Sequence, residues 1–168
     1  MVSLVKSAAD NVDDANGNEI LGTESDKQFA YGKLIVNLTD EQKLSISHEN
    51  LTEEGDILYR PELISAPNNT ASPTSGDRKT TIVNYHYNPK QNELVQLLVN
   101  LYRTDNSQER ERFGTNYGGG VESTGATLQN TSFLDNHELI YGFNYRHDKA
   151  DLQNLTTGAA PAEEEGKV

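Results

Sequence analysis

The sequence predicts an all-β protein, an antiparallel up-and-down meander of about six strands over residues 27–149. Three observations predict it. Apolar and polar residues alternate with period two in several stretches, the pattern of a strand with one apolar face. Short turn-like connections join those stretches in pairs. Hydrophobic residues make up 34% of the chain, below the usual ~45–50%, a figure that also counts glycine. That deficit disfavours a thick dry core and suits a thin sheet with much loop.

Residues 1–26 are polar and acidic, with a turn signal at Asn16-Gly17. They read as a polar loop with room for a short strand at Val2–Val5. Asp10, Asp13, Asp14, Asn16 and Asn18 invite a calcium-loop reading. The spacing fails: counting from Asp14, Glu19 stands where the motif needs Gly and Ser25 where it needs Glu.

Alternation begins at Lys27. Ala30, Leu34, Val36 and Leu38 share one face of the first strand, and Phe29, Lys33 and Asn37 the other. Thr39-Asp40-Glu41-Gln42 is a tight turn, after which Leu44 and Ile46 alternate with Ser45, Ser47 and Glu49. Residues 55–78, interrupted by Pro61, Pro67 and Pro73, read as a long loop. The third strand sets Thr81, Val83, Tyr85 and Tyr87 against Ile82, Asn84 and His86. A turn at 88–92 is built on Pro89. The fourth strand sets Val95, Leu97, Val99 and Leu101 against Gln96, Leu98, Asn100 and Tyr102. Residues 104–120, rich in charge and glycine, read as a second long loop. The last hairpin turns at 135–137, with Leu139, Tyr141, Phe143 and Tyr145 on one face and Ile140, Gly142, Asn144 and Arg146 on the other. Residues 150–168 read as an acidic loop and tail.

The short and long connections therefore alternate. In a meander this places every short turn at one end of the sheet and every long loop at the other. That is the asymmetry of outer-membrane barrels, so the expected architecture is an arc of a transmembrane β-barrel. Six strands cannot enclose a plugged lumen, which takes about 22. A lone arc leaves two bare edges and a bare lipid face.

Net charge is −12 with a pI of about 4.6, which repels nucleic-acid phosphates and argues against a nucleic-acid partner. There are no cysteines, hence no disulfide framework and no thiolate chemistry. No run of about 18 apolar residues offers a membrane helix. The opening MVSLVKSAADNVDD lacks a secretory apolar region, so the chain carries no export signal and reads as an internal fragment.

Three hairpins carry a family resemblance. Leu128-Gln129-Asn130-Thr131-Ser132 followed by Leu139 through Tyr145, with Arg146 and Asp148, resembles a hairpin of TonB-dependent outer-membrane receptors of the heme, hemoglobin and siderophore type. Tyr31-Gly32-Lys33-Leu34 with Leu44 through Glu49, and Asn84 through Pro89 with Leu101 through Asn106, resemble two more. The resemblance covers residues 27–151. It implies an outer-membrane receptor that takes up heme or a ferric siderophore, free or from a heme-carrying protein. It implies outer-membrane lipid as surroundings, no intrinsic cofactor, and an energy-coupling TonB complex reached only through N-terminal parts that this chain lacks.

Candidate ligand contacts follow from that topology: the long-loop end, meaning 55–78, 105–120 and the residues after Tyr145. His147 is the first candidate iron ligand, because a neutral imidazole suits iron. His86 is the second, on the inferred lumen face but near the short-turn end. His137 lies in a short turn and His48 shares a face with Leu44 and Ile46. No His pair at i, i+4 suggests a protein metal site. The family's heme-ligating loop motif is absent, with Tyr59-Arg60-Pro61-Glu62 its nearest echo.

No catalytic residues are expected. Asp56 with Glu62 is a carboxylate pair of unknown separation, and Gly118-Gly119-Gly120 reads as a loop hinge with no helix to bind phosphate. The alternative to a receptor is a soluble antiparallel β-domain acting as a binding module, for carbohydrate for example.

Overall fold

The computed structural model describes residues 1–60, 63, 65–112, 114–155 and 157–167. Ten strands follow one another: β1 (Val2–Ala9), β2 (Val12–Asp13), β3 (Glu19–Ile20), β4 (Ser25–Thr39), β5 (Gln42–Leu58), β6 (Ala71–Tyr87), β7 (Gln96–Arg112), β8 (Thr115–Leu134), β9 (His137–Asn154) and β10 (Ala159–Lys167). The main sheet has eight strands in the order β1-β4-β5-β6-β7-β8-β9-β10, all antiparallel to their neighbours. From β4 onward it is the expected sequential meander. The sheet is open, with β1 and β10 as its borders. β2 and β3 form a small separate hairpin.

Four expectations change. The first 26 residues are not a polar loop: β1 runs along β4 from Val2↔Gly32 to Ala9↔Ser25. The stretch 150–168 holds the end of β9 and all of β10. The two long loops shrink sharply. Residues 55–58 and 71–78 belong to β5 and β6, and 104–112 and 115–120 to β7 and β8, joined across 113–114. Val95 precedes β7 rather than opening it. The loop asymmetry is thus weaker than the sequence implied, although the connections at 10–24 and 59–70 still lie at the end opposite the two-residue turns 40–41 and 135–136.

The physical reason is that these strand halves are polar on both faces. Period-two alternation reports a strand only where one face is apolar. Pro73, which spoke against a strand, lies opposite Asp56 and one residue beyond the first β6–β7 pair, Thr74↔Arg110, where β7 makes no demand on its missing N–H. Gly118-Gly119-Gly120 is strand interior, paired to Glu109, Gln108 and Ser107. A Cβ at Gly119 would stand 3.2 Å from the Asp151 carbonyl oxygen, and one at Gly120 3.2 Å from that of Asn106. The glycines therefore let neighbouring backbones approach.

The β8–β9 turn matches its sequence. Asp135 adopts φ 50° before Asn136, as a two-residue hairpin demands. The β5–β6 connection, whose Pro61, Glu62 and Ile64 lie outside the described residues, is tied by Asn69, only 4% exposed. Its amide oxygen accepts the Arg60 N–H at 2.8 Å, and its Nδ2 donates back to the Arg60 carbonyl at 3.1 Å. Asp14, the failed calcium ligand, instead caps its own turn. Its carboxylate accepts the backbone N–H groups of Asn16 and Asn18 and the Asn18 amide.

The sheet has one layer. Among the described residues Leu58 is the sole buried hydrophobe; it packs on Gly22, where a Cβ would come within 2.8 Å of its Cγ. The accessible surface is 11670 Å². A compact monomer of this mass, 18.6 kDa, exposes about 8,200 Å². The excess is the signature of a wall rather than a globule.

Candidate functional site: a banded wall with a cationic face

Residues directly opposite one another in a ladder lie on the same face. Followed across the sheet, the register builds two unbroken apolar rows: Leu34-Ile46-Val83-Leu101-Ala126-Tyr145 and Val36-Leu44-Tyr85-Val99-Leu128-Phe143. A third row, Gln42-Tyr87-Leu97-Asn130-Tyr141, adds tyrosines next to the turns. These side chains are uncovered; Leu34 is 61% and Phe143 64% exposed. The next row in the other direction is polar: His48, Thr81, Arg103, Thr124 and His147. Along β9, Leu139 to Tyr145 covers about 20 Å and His147 lies about 27 Å from Leu139 at ~3.4 Å per residue. Outer-membrane barrels carry an apolar band about 25 Å tall.

The opposite face is mostly polar at the same height. Asn84, Asn100, Thr127 and Asn144 share a row with Ser45 and Ile35, and Asn100 donates to Asn84 at 2.8 Å. Lys33, Asn84, His86, Gln96, Asn100, Asn144 and Arg146 all lie on this side, opposite Leu34, Val36, Leu97, Val99, Tyr141 and Phe143, as the alternation predicts. In the row of Arg146, the Tyr102 ring lies across Gly125; a Cβ there would come within 2.2 Å of it.

The two histidines singled out from the sequence are not brought together. His86 lies on the polar face beside the turn end, in an open concavity of about 790 Å³ with Lys33, Asn37, Lys43, Asn84 and Lys90. His147 is mid-strand in β9, opposite Thr124, on the face of Tyr145 and Phe143. It stands at the border of the apolar band, not on a terminal loop. No single ligand on this sheet touches both. His48 donates to or accepts from the Thr81 hydroxyl at 2.8 Å. No group of three His, Asp or Glu among the described residues is placed to hold a metal ion. This includes the acidic concavity of about 630 Å³ near Asp26, Glu54, Asp56 and Glu109. Glu62, the proposed partner of Asp56, lies outside the described residues.

The sequence reading missed a cluster at the distal end of the polar face. Arg110 and Arg112 project on that side, and Tyr59, from the start of the β5–β6 connection, lies beneath both. The guanidinium of Arg112 is 3.7 Å and that of Arg110 5.7 Å from the ring centroid. The signal was present as Gln108-Glu109-Arg110-Glu111-Arg112, whose charge alternates in sign with period two. Alternating sign marks a strand with oppositely charged faces, but a hydrophobicity count cannot register it. No protein family, characterised protein or solved structure matches the chain.

Proposed function

We propose that this chain is a wall segment of an outer-membrane β-barrel, in which the banded face meets lipid and the polar face lines the lumen. One observation carries the reading: the apolar rows run unbroken across six strands, stop sharply at the His48-Thr81-Arg103-Thr124-His147 row, and among the described residues have no second layer over them. Strands of 15 to 20 residues from β4 to β9 exceed the 9–11 residues a membrane requires. Their surplus is polar on both faces and suits a wall rising above the membrane.

The resemblance of three hairpins supports a finer reading, a TonB-dependent receptor that moves an iron carrier, heme or ferric siderophore, without covalent chemistry. In that reading energy reaches the wall from the inner-membrane complex through the plug that such receptors carry.

The test is circular dichroism and thermal unfolding of the full chain in buffer, in detergent micelles and in phospholipid vesicles. A wall segment acquires its strand signal and a cooperative transition only with amphiphile. Cooperative folding in plain buffer would overturn the membrane reading in favour of a soluble β-domain.

A further inference from the structure

We infer that the distal part of the polar face binds an anionic ligand, and that the iron carrier of the proposed receptor is therefore an oxygen-rich anion. This rests on the wall reading for the identity of the cargo. The charge pattern itself stands on the register.

The chain is acidic overall, yet its charges are sorted between the two faces. On the polar face Lys27, Lys33, Lys43, Arg78, Arg110, Arg112 and Arg146 outnumber Glu49, Glu53, Glu138 and Asp148. The distal half of the other face carries Asp26, Glu54, Asp56, Asp77, Asp105, Glu109, Glu111, Glu122 and Asp151, which outnumber Lys6, Lys79, Arg103 and Lys149. Strand β7 shows the sorting within five residues, with both glutamates on one side and both arginines on the other. A single sheet thus presents a cationic surface although the molecule as a whole would repel anions.

Several of these cations are already neutralised. Lys27 pairs with Glu53 at 2.6 Å, Arg78 with Glu49 at 3.4 Å and Arg146 with Asp148 at 2.8 Å. Arg110 is different: among the described residues its Nε is buried without a hydrogen-bond partner, and its guanidinium lies 5.7 Å from the centroid of the Tyr59 ring. An aromatic ring under a guanidinium fixes its plane but leaves its N–H groups unsatisfied, and a planar fork of donors suits paired oxygens. Space lies beside it. Gly76 shares the polar face next to Thr74, the partner of Arg110, and a Cβ there would meet nothing closer than 3.8 Å. Arg78 stands on the far side of Gly76 along β6. Gly76 thus adds no side chain to the surface between Arg110 and Arg78, the latter shared with Glu49.

The experiment uses the full chain in detergent micelles and three iron complexes. An iron(III) tricatecholate is a trianion, hemin carries two propionates, and an iron(III) trihydroxamate chosen with a pendant ammonium group is a cation. The expected result is saturable binding of at least one anionic complex, about tenfold or more tighter than the cationic one, since each charged hydrogen bond contributes that much. The preference should fade with added salt. Which anion binds tells catecholate from carboxylate as the source of the charge. Arg110→Gln with Arg112→Gln should abolish the preference, while Arg103→Gln, on the other face with Asp105 and Glu122, should leave it intact. Arg110→Lys alone, which keeps the charge but loses the fork, should weaken binding by less. Equal binding of all three complexes, or equal loss in the Arg103 variant, overturns the inference. Folding in amphiphile without anion preference removes the anion surface and leaves the wall reading standing. Anion preference in a chain that folds in buffer alone keeps the surface and removes the wall.

Discussion

The two halves of this sheet share a backbone and differ in what covers it. Toward the 40–41 and 135–136 turns, one face is a band of Leu, Ile, Val and Tyr while the other carries Asn, Ser, Lys and Arg. Toward the other end both faces are polar, and the tertiary contacts are salt bridges such as Lys27–Glu53 and the Arg103–Asp105–Glu122 cluster. Hydrogen-bonded strands persist through both halves because each antiparallel ladder satisfies its own N–H and C=O groups whatever the side chains are. Among the described residues no second layer covers the banded half, which on the proposed reading meets lipid. The distal half needs none, since its side chains are content in water. The difference lies in solvent preference, and it can be tested residue by residue.

The largest effect should come from a charge in the middle of the band. Leu128, in the row of Val99 and Phe143, is 46% exposed. In a bilayer, Leu128→Arg should cost about 2–4 kcal/mol, the penalty for arginine near the midplane. In water a change at so exposed a site should stay within about 0.5 kcal/mol. Urea unfolding in vesicles measures it. A near-zero cost there would erase the distinction between the halves and with it the lipid face.

A smaller effect separates the halves by how tightly their strands approach. At Gly142, in the banded half, a Cβ would lie within 2.1 Å of the Leu128 carbonyl oxygen, which is rigid backbone. Gly142→Ala must push β8 and β9 apart and should cost about 1–3 kcal/mol, the range for forced overpacking. Gly76→Ala, in the distal half, makes only an ordinary contact, 3.8 Å from the Ser107 carbonyl oxygen, and should be neutral or slightly stabilising, by up to about 1 kcal/mol, because alanine restricts the unfolded chain. Matched unfolding curves of the two variants check this. Equal costs would mean that strand spacing is uniform along the sheet.

How much of this was legible follows the same division. In the banded half the sequence yielded strand order, turns and faces, because alternation with one apolar face is the signal that period-two reading detects. Leu97 against Gln96 and Phe143 against Asn144 fell as expected. In the distal half the same backbone reads as loop, since Thr104 through Gly120 offers no apolar face and Pro73 and the glycine triplet look like breakers. β1 was half seen, at Val2–Val5, and β10 was hidden in acidic sequence. The candidate site suffered most. His147 was placed by the assumption that the wall ended near Tyr145, but β9 continues to Asn154 and leaves it mid-strand. The Arg110, Arg112 and Tyr59 cluster depends on the hairpin across 113–114 and on a connection folded back by Asn69, neither of which a linear pattern specifies.

The smallest effect should be a pH dependence confined to the distal part of the molecule. The Asp14 carboxyl is held below its ordinary value chiefly by the Asn18 side-chain amide, then by the backbone N–H groups of Asn18 and Asn16. The Asp148 carboxyl is lowered by the Ser123 hydroxyl and then by Arg146. Both groups favour the folded state in their ionised form, so their contribution is complete above the unfolded carboxyl value of 3.8. It is lost as the pH falls through the lower folded values. Both are half-exposed and lie outside the apolar band, so the change should be local rather than global. Amide exchange read between pH 5 and pH 2.5 should show the β2–β3 hairpin and the distal β8–β9 pairs opening first, while the rows through Leu101 and Val99 hold. Asp14→Asn and Asp148→Asn should each remove their own part of that response and leave the other. Uniform acid opening of band and distal half alike would show that the halves melt as one unit, and that the boundary at the His48-Thr81-Arg103-Thr124-His147 row is a border in polarity only.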